Sequence, residues 1–187
     1  MTLRVLTDTD RQSKLEIDQE KLIAQLGSIS KKFSGTSANA LENINLEVFQ
    51  KDFLSIVGPS GCGKTSILKI MCGLIRPSSG SINWPTSNFQ NSPENPANLS
   101  FVFQEPNLLP WMNVYENIKM PLKILKEDSY SADEKIYEII DLVGLKGFEG
   151  YYPKQLSGGM SMRVSIARAL VTQPKVCLLY TSDAADE

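Results

Sequence analysis

The stretch GPSGCGKTS, Gly58 to Ser66, constrains this chain more than any other feature. It matches the spacing G-x-x-x-x-G-K-[ST] and follows FLSIV, Phe53 to Val57, a short continuous apolar run bounded by glycine. Such a run reads as a strand covered on both faces. The residues after it, from about Lys64 to Cys72, read as a helix stopped by Gly73 and the turn-rich RPSSG. Strand, glycine loop and helix in that order make an anion cradle. Gly58, Gly61 and Gly63 let the backbone curl so that successive N–H groups converge on one point, and the helix N-terminus adds partial positive charge. Pro59, Ser60 and Cys62 complete the loop. Lys64 is placed to reach β- and γ-phosphates, the Thr65 hydroxyl to ligate Mg²⁺, and Ser66 follows in the first helical turn. The competing reading is a glycine-rich turn with a surface lysine, and the strand before and helix after weigh against it. Cys62 reads as a small filler, because nothing nearby supplies a base.

A chain of 187 residues is about one domain's worth. Its net charge of −2 shows no basic surplus, so nucleic acid is not an expected partner. The N-terminal residues hold no apolar signal-like region, and no apolar run approaches the ~20 residues of a membrane span. The three cysteines, Cys62, Cys72 and Cys177, make no metal or redox spacing. These features predict a soluble intracellular protein. The absence of histidine excludes Ser-His-Asp chemistry and histidine metal sites within this sequence.

Residues 1–20 mix charges without periodicity and predict a flexible extension. Leu22 to Ile29 predicts a strand, and Ile44, Leu46 and Val48 alternate as a half-buried strand does. Trp84 to Asn98, rich in proline and asparagine, predicts a loop, and LSFVF, Leu99 to Phe103, another strand. Residues 106–155 contain no convincing strand. There Ile136, Ile139, Ile140 and Val143 fall on one helical face, with Ser131 and Glu134 spaced as a capping box. A further helix over about Gly158 to Thr172 opens after Ser157, and VCLL, Val176 to Leu179, reads as a buried strand. The expected architecture is an α/β core interrupted by a helical insertion.

The second motif is LSGGM, Leu156 to Met160, followed by RVSIARAL. Serine and two glycines at a helix start offer a second anion site, although LSGG alone reads as an ordinary N-cap. Paired with the phosphate loop, it makes residues 21–176 resemble the ATP-binding subunits of ABC transporters. The resemblance implies a P-loop NTPase (RecA-like) core over 21–105 and 156–176, with N-terminal antiparallel strands and a helical subdomain over 106–155. It implies ATP and Mg²⁺ as cofactors, with Thr65 and Gln104 on the metal and Phe33 stacked on adenine. It also implies that Leu156, Ser157, Gly158, Gly159 and Met160 meet nucleotide held by a second copy. Lys64, Gln104 and Ser157 would then carry the catalytic contacts. The less favoured reading of Phe33 is a core residue at a strand end. The implied partners are a second nucleotide-binding subunit, in a homodimer, and transmembrane permease subunits. A solute-binding protein would act indirectly, and the subunit would sit on the cytoplasmic face of the cell membrane. Met160, together with FQEPNLLPW from Phe103 to Trp111, resembles the nitrate, sulfonate and taurine importer group.

The resemblance also predicts an Asp-Glu pair where Tyr180 and Thr181 stand, and neither a phenol nor a threonine hydroxyl replaces those acids at pH 7. Residues 177–187, CLLYTSDAADE, resemble read-through of a sequencing adapter. That implies a non-native tail, a missing C-terminal part of the core, and a chain that as given hydrolyses no ATP. The rival readings are a catalytically inactive nucleotide-binding module and an ABC ATPase outside transport.

Overall fold

The computed structural model describes residues 4–7, 22–35, 38–84, 99–127 and 130–180. Along them run β1 (Arg4–Thr7), β2 (Leu22–Lys31), β3 (Leu41–Phe49), β4 (Leu54–Val57), α1 (Lys64–Met71), β5 (Ser79–Asn83) and β6 (Leu99–Val102). There follow α2 (Val114–Ile124), α3 (Tyr130–Leu142), a 3-10 turn at Pro153–Gln155, α4 (Gly158–Leu170) and β7 (Val176–Leu179). The described residues up to Trp84 form one compact unit and those from Leu99 to Tyr180 a second.

In the first unit β2 lies between β3 and β5, antiparallel to both. Alternation works as expected: Leu26 faces Leu46 across the ladder, and Ile23, Ala24, Leu26, Ile29, Leu41, Leu46 and Val48 are buried. Helix α1 adds Ile67, Leu68, Ile70 and Met71. Strand β5 is absent from the sequence-based expectation. Its SGSIN exposes every residue but the half-buried Ile82, so it carries almost no hydrophobic pattern, and pairing with β2 alone defines it.

Two expectations for this unit are corrected. Residues 4–7, expected within a flexible extension, form β1, which pairs antiparallel with β4 from Arg4↔Val57 to Thr7↔Leu54. The edge of β4 offers unpaired backbone groups, and RVLT contains the β-prone residues to use them. Strand β4, expected to be covered on both faces, is only half-buried along its length, and Phe53 before it is 73% exposed. A four-residue antiparallel neighbour gives it limited cover.

The second unit is built on three helices. Val114, Ile118 and Leu122 of α2, Ala132, Ile136 and Ile140 of α3, and Val164 and Ala167 of α4 form one buried cluster with Leu145 and Val171. The α2 and α3 sets recur every four residues, which places each on a single helical face. The expected stripe of α3 is present, with Ile139 and Val143 partly buried beside it. Burying an isoleucine or leucine this fully stabilises by about 1.5–3 kcal/mol. The capping box lies elsewhere than expected. Helix α3 begins at Tyr130, so Ser131 falls inside the first turn. The box belongs to α2, where the Asn113 side chain accepts from Glu116 N at 2.8 Å and Asn113 N donates to the Glu116 carboxylate at 3.0 Å. Tyr115 of α2 donates its hydroxyl to Asp133 of α3, and Lys119 lies 3.0 Å from the same carboxylate. The Tyr115 hydrogen bond, and then that of Lys119, holds the Asp133 carboxyl below its ordinary pKa.

Strands β6 and β7 pair in parallel from Leu99↔Val176 to Val102↔Leu179, and Tyr180 N extends the ladder to Val102 O at 3.0 Å. Strand β7 is buried on one face only, with Val176 and Leu178 inside and Cys177 and Leu179 outside.

Asn117 is the one charged or amide side chain fully buried among the described residues. Its amide nitrogen donates to the carbonyls of Leu109, Met112 and Asn113 at 2.9–3.2 Å, and its carbonyl accepts from Leu109 N at 2.8 Å. The far end of the chain between β6 and α2 therefore folds around this side chain. Asn117→Ala strands Leu109 N–H and Met112 O, while Leu109 O and Asn113 O keep the backbone N–H groups of Met112 and Asn117. A loss of about 1–3 kcal/mol in urea unfolding is expected, and a change inside the error of the fit would show that water replaces the amide.

Candidate functional site

The loop after β4 turns on two left-handed glycines, Gly61 at φ 76° and Gly63 at φ 102°. Cys62 N donates to Pro59 O at 3.2 Å between them, and the Cys62 side chain is buried as the expected filler. Gly63 then caps α1, and Ile67 N donates to Gly63 O at 3.0 Å. The outer rim, Pro59, Ser60 and Gly61, is exposed, while Gly58, Gly63, Lys64, Thr65 and Ser66 are half-buried. The Lys64 ammonium donates to Gly58 O and, at 3.1 Å, to Pro59 O. These two carbonyls hold the ammonium over the loop. A phosphate would meet the same ammonium with full negative charge, an attraction that a neutral carbonyl does not supply. Phe33 lies two residues beyond β2, 41% exposed, with Lys31 Nζ 5.3 Å from its ring centroid. It is an accessible aromatic surface and not a core residue.

The other sequence-predicted residues lie in the second unit. Gln104 is exposed, two residues past the end of β6. Ser157 caps α4, its Oγ accepting from Met160 N at 3.2 Å. Leu156 and Met160 are partly buried against the helical core, whereas Ser157, Gly158 and Gly159 are exposed. A Cβ added at Gly158 or Gly159 would meet nothing within 4 Å. Their own chain gives these glycines no steric reason, and each costs about 0.5–1 kcal/mol in a helix relative to alanine. The Ser157 cap satisfies the third N–H of the helix and leaves the first two, on the glycines, without an intrahelical acceptor.

Sequence reasoning missed two residues that shape the stretch after Gln104. Asn117 is described above. Arg168 donates from Nη2 to Pro106 O at 2.8 Å and from Nη1 to Asn107 O at 3.0 Å. The available signal was the same for both, one polar residue set within an apolar helical stripe. For a divalent metal, the hydroxyl of Thr65 and the amide oxygen of Gln104 are hard donors that suit Mg²⁺. Among the described residues no group of three or more His, Cys, Asp or Glu side chains could hold a metal. No described helix is long and apolar enough to cross a membrane.

The ABC transporter family model matches residues 41–180. The spermidine/putrescine import ATP-binding protein PotA of Fusobacterium nucleatum subsp. nucleatum is 41% identical over 160 residues, 86% of this chain and 42% of that protein. The protein of the same name from Clostridioides difficile is 41% identical over 157 residues, 84% of this chain and 45% of that one. An uncharacterized ABC transporter ATP-binding protein of Methanocaldococcus jannaschii is 38% identical over 170 residues, 90% and 62% of the two chains. The chain thus spans 42% to 62% of the length of these curated relatives. Among solved structures, a dimeric bacterial ABC transporter cassette superposes with a TM-score of 0.70 at 31% identity, over 84% of this chain and 73% of that one. A post-hydrolysis ATP-binding cassette bound to ADP and Pi gives 0.68 at 26% identity, over 86% and 88%. The P-loop NTPase architecture, mixed α/β with antiparallel strands, is that of these cassettes.

The geometry separates the two left-handed glycines. A Cβ at Gly63 would lie 2.5 Å from Leu41 Cδ2 and 2.6 Å from Ala40 O, whereas one at Gly61 would meet nothing within 4 Å. Gly61→Ala should therefore cost only the left-handed penalty, about 1–2 kcal/mol. Gly63→Ala should cost measurably more in urea unfolding. Equal losses would show that the backbone of Ala40 yields freely.

Proposed function

This chain belongs to the ABC transporter family, and on that premise we propose that it is an ATP-binding subunit of an importer, coupling MgATP binding and hydrolysis to uptake of a small solute. The observation that carries the proposal is the bare start of α4. Two exposed glycines with free N–H groups stand behind a serine cap, and the packing of this chain does not account for them. They suit an anion brought by another molecule. The phosphate loop of a second copy supplies one, so the reading is a dimer in which Ser157, Gly158 and Gly159 of one subunit close on nucleotide held by the other.

In that reading the loop N–H groups and Lys64 bind the β- and γ-phosphates, and Phe33 offers its exposed ring to adenine. Thr65 and Gln104 hold Mg²⁺, which when bound neutralises charge developing on the phosphate oxygens. Leu156 and Met160 act from behind, anchoring the signature turn on the helical core. Permease subunits would dock on the second unit. A hollow of about 300 Å³ there is lined by Phe101, Phe103, Met120 and Ile124, of which Phe103 and Ile124 are 43% and 66% exposed. Such attachment places the subunit at the cytoplasmic face of the membrane, with a solute-binding protein acting on the far side.

The solute is not read from this subunit. Met160 and FQEPNLLPW suggested nitrate, sulfonate or taurine, whereas two of the relatives carry names for spermidine and putrescine import. The importer class has support from both sides, and the oxyanion preference has none from the comparisons. A second reading, nucleotide binding without hydrolysis, is favoured by one observation. The hydrogen bond from Tyr180 N to Val102 O continues the β6–β7 ladder to residue 180, and there this sequence has a phenol where the family resemblance calls for a carboxylate. Thr181 and residues 182–187 lie outside the described residues. Losing a general base costs about 10²–10⁴ in rate.

Calorimetric titration with MgATP tests the cradle. Lys64→Ala should weaken binding at least about tenfold, equivalent to about 1.4 kcal/mol; unchanged affinity would refute the assignment. Phosphate release then separates hydrolysis from binding alone.

Ser157→Arg probes the action across the dimer. ATP binding to one subunit should persist while nucleotide-dependent dimerisation, followed by light scattering, is lost. Equal loss of both would mean that Ser157 serves its own subunit's nucleotide or the fold.

A further inference from the structure

The stretch from Pro106 to Asn113, which directly follows Gln104, has no regular secondary structure, yet side chains from two helices fasten it. At its far end the buried amide of Asn117, from α2, takes the backbone of Leu109 and Met112. At its near end Arg168, from α4, forks onto the carbonyls of Pro106 and Asn107 at 2.8 and 3.0 Å. Leu108 between them packs against the helical core, while Trp111 stays 69% exposed. Two fixed ends leave Gln104 as an exposed link between a strand and a held strap.

Arg168 is also part of the helix that Ser157 opens. Eleven residues separate the two, about three turns and about 16 Å along the axis, so both fall near the same side of α4. The fork is planar and rigid, and one guanidinium meets two successive carbonyls, which a lysine ammonium on a flexible stem does not reproduce. Burial removes water from the guanidinium, and the carbonyl bonds offset that loss in part.

We propose that Arg168 is a positioning residue: it ties the strap after Gln104 to the helix that carries the signature serine, so that the two move as one body. The consequence for the nucleotide cycle rests on the reading of Gln104 and Ser157 given above; the fastening itself does not. When the start of α4 is drawn onto a partner's nucleotide, a helix of three turns delivers the displacement to Pro106 and Asn107, and through them to Gln104. The proposal assigns to one side chain the link between the dimer contact and the residue beside the metal.

Amide hydrogen exchange on the full chain, without nucleotide, tests the fastening. Arg168→Met keeps most of the side-chain volume and removes the fork. Exchange in a peptide covering residues 104–112 should rise at least tenfold, while a peptide covering 130–142 in α3 stays within twofold of the unsubstituted chain. Arg168→Lys should recover part of the protection. A uniform rise across residues 99–180, or none at 104–112, would overturn the proposal, since the first marks a merely structural arginine and the second a strap held by Asn117 alone. The coupling is read separately from Trp111 emission in a Trp84→Phe background. MgATP should shift it in the Arg168 chain, and Arg168→Met should at least halve the shift while MgATP affinity changes less than twofold. An undiminished shift, or no shift in the Arg168 chain despite binding, would overturn the coupling. Failure of the Arg168 chain to bind MgATP would refute the phosphate-loop reading, and exchange without nucleotide would still decide the fastening.

Discussion

The contact between Gly63 and the start of β3 is the constraint on which the first unit depends. The loop closes onto α1 only because residue 63 adopts φ 102° with its missing Cβ directed at Leu41 and Ala40. That approach joins two parts of the sequence more than twenty residues apart, the antiparallel sheet and the anion cradle. It fixes where α1 begins, and hence where the first free N–H groups of that helix lie and how far Lys64 reaches back. The carbonyls of Gly58 and Pro59 accept that ammonium.

The second unit solves a different problem. Three helices bury one apolar cluster, and polar side chains in and beside it make connections: buried Asn117 and half-buried Arg168 to the strap, and Tyr115 with Asp133 between α2 and α3. Asp133 shows the sign of such a tie. Its carboxyl pKa is lowered in the folded chain by the Tyr115 and Lys119 hydrogen bonds, so its contribution is present above the ordinary carboxylate range and fades as pH falls through the lowered value. Neutral pH leaves the tie intact, in keeping with a body that moves as a unit.

How much of this the sequence carried depends on the kind of signal. The phosphate loop was legible because glycine spacing and a following lysine state a backbone requirement directly. The stripe of Ile136, Ile139, Ile140 and Val143 was legible because a single face is buried. Strand β5 was not, since SGSIN exposes all but Ile82 and its pairing is written in β2 instead. Strand β1 was hidden because it is only four residues long, begins on the charged Arg4 and runs into Asp8, Asp10 and Arg11. The cap of α2 was passed over for Ser131 and Glu134, which carry the same spacing as Asn113 and Glu116. Spacing alone does not say where the preceding chain turns, and the Asn117 hub supplies that turn.

The signature turn divides its residues by direction, and the division explains why its sequence tolerates methionine at position 160. The Met160 side chain packs inward on the helical core beside Leu156, while its N–H is taken by Ser157 Oγ. Neither its side chain nor its backbone donor is left to face a ligand. What points outward is the hydroxyl of Ser157 and the N–H groups of two residues with no side chain, a surface that a second molecule can approach to backbone distance. An inward position selects for volume and an outward one for absence of volume. A glutamine or a methionine therefore serves at 160 so long as the turn stays anchored, whereas any side chain at 158 or 159 would cover backbone donors that the glycines leave exposed.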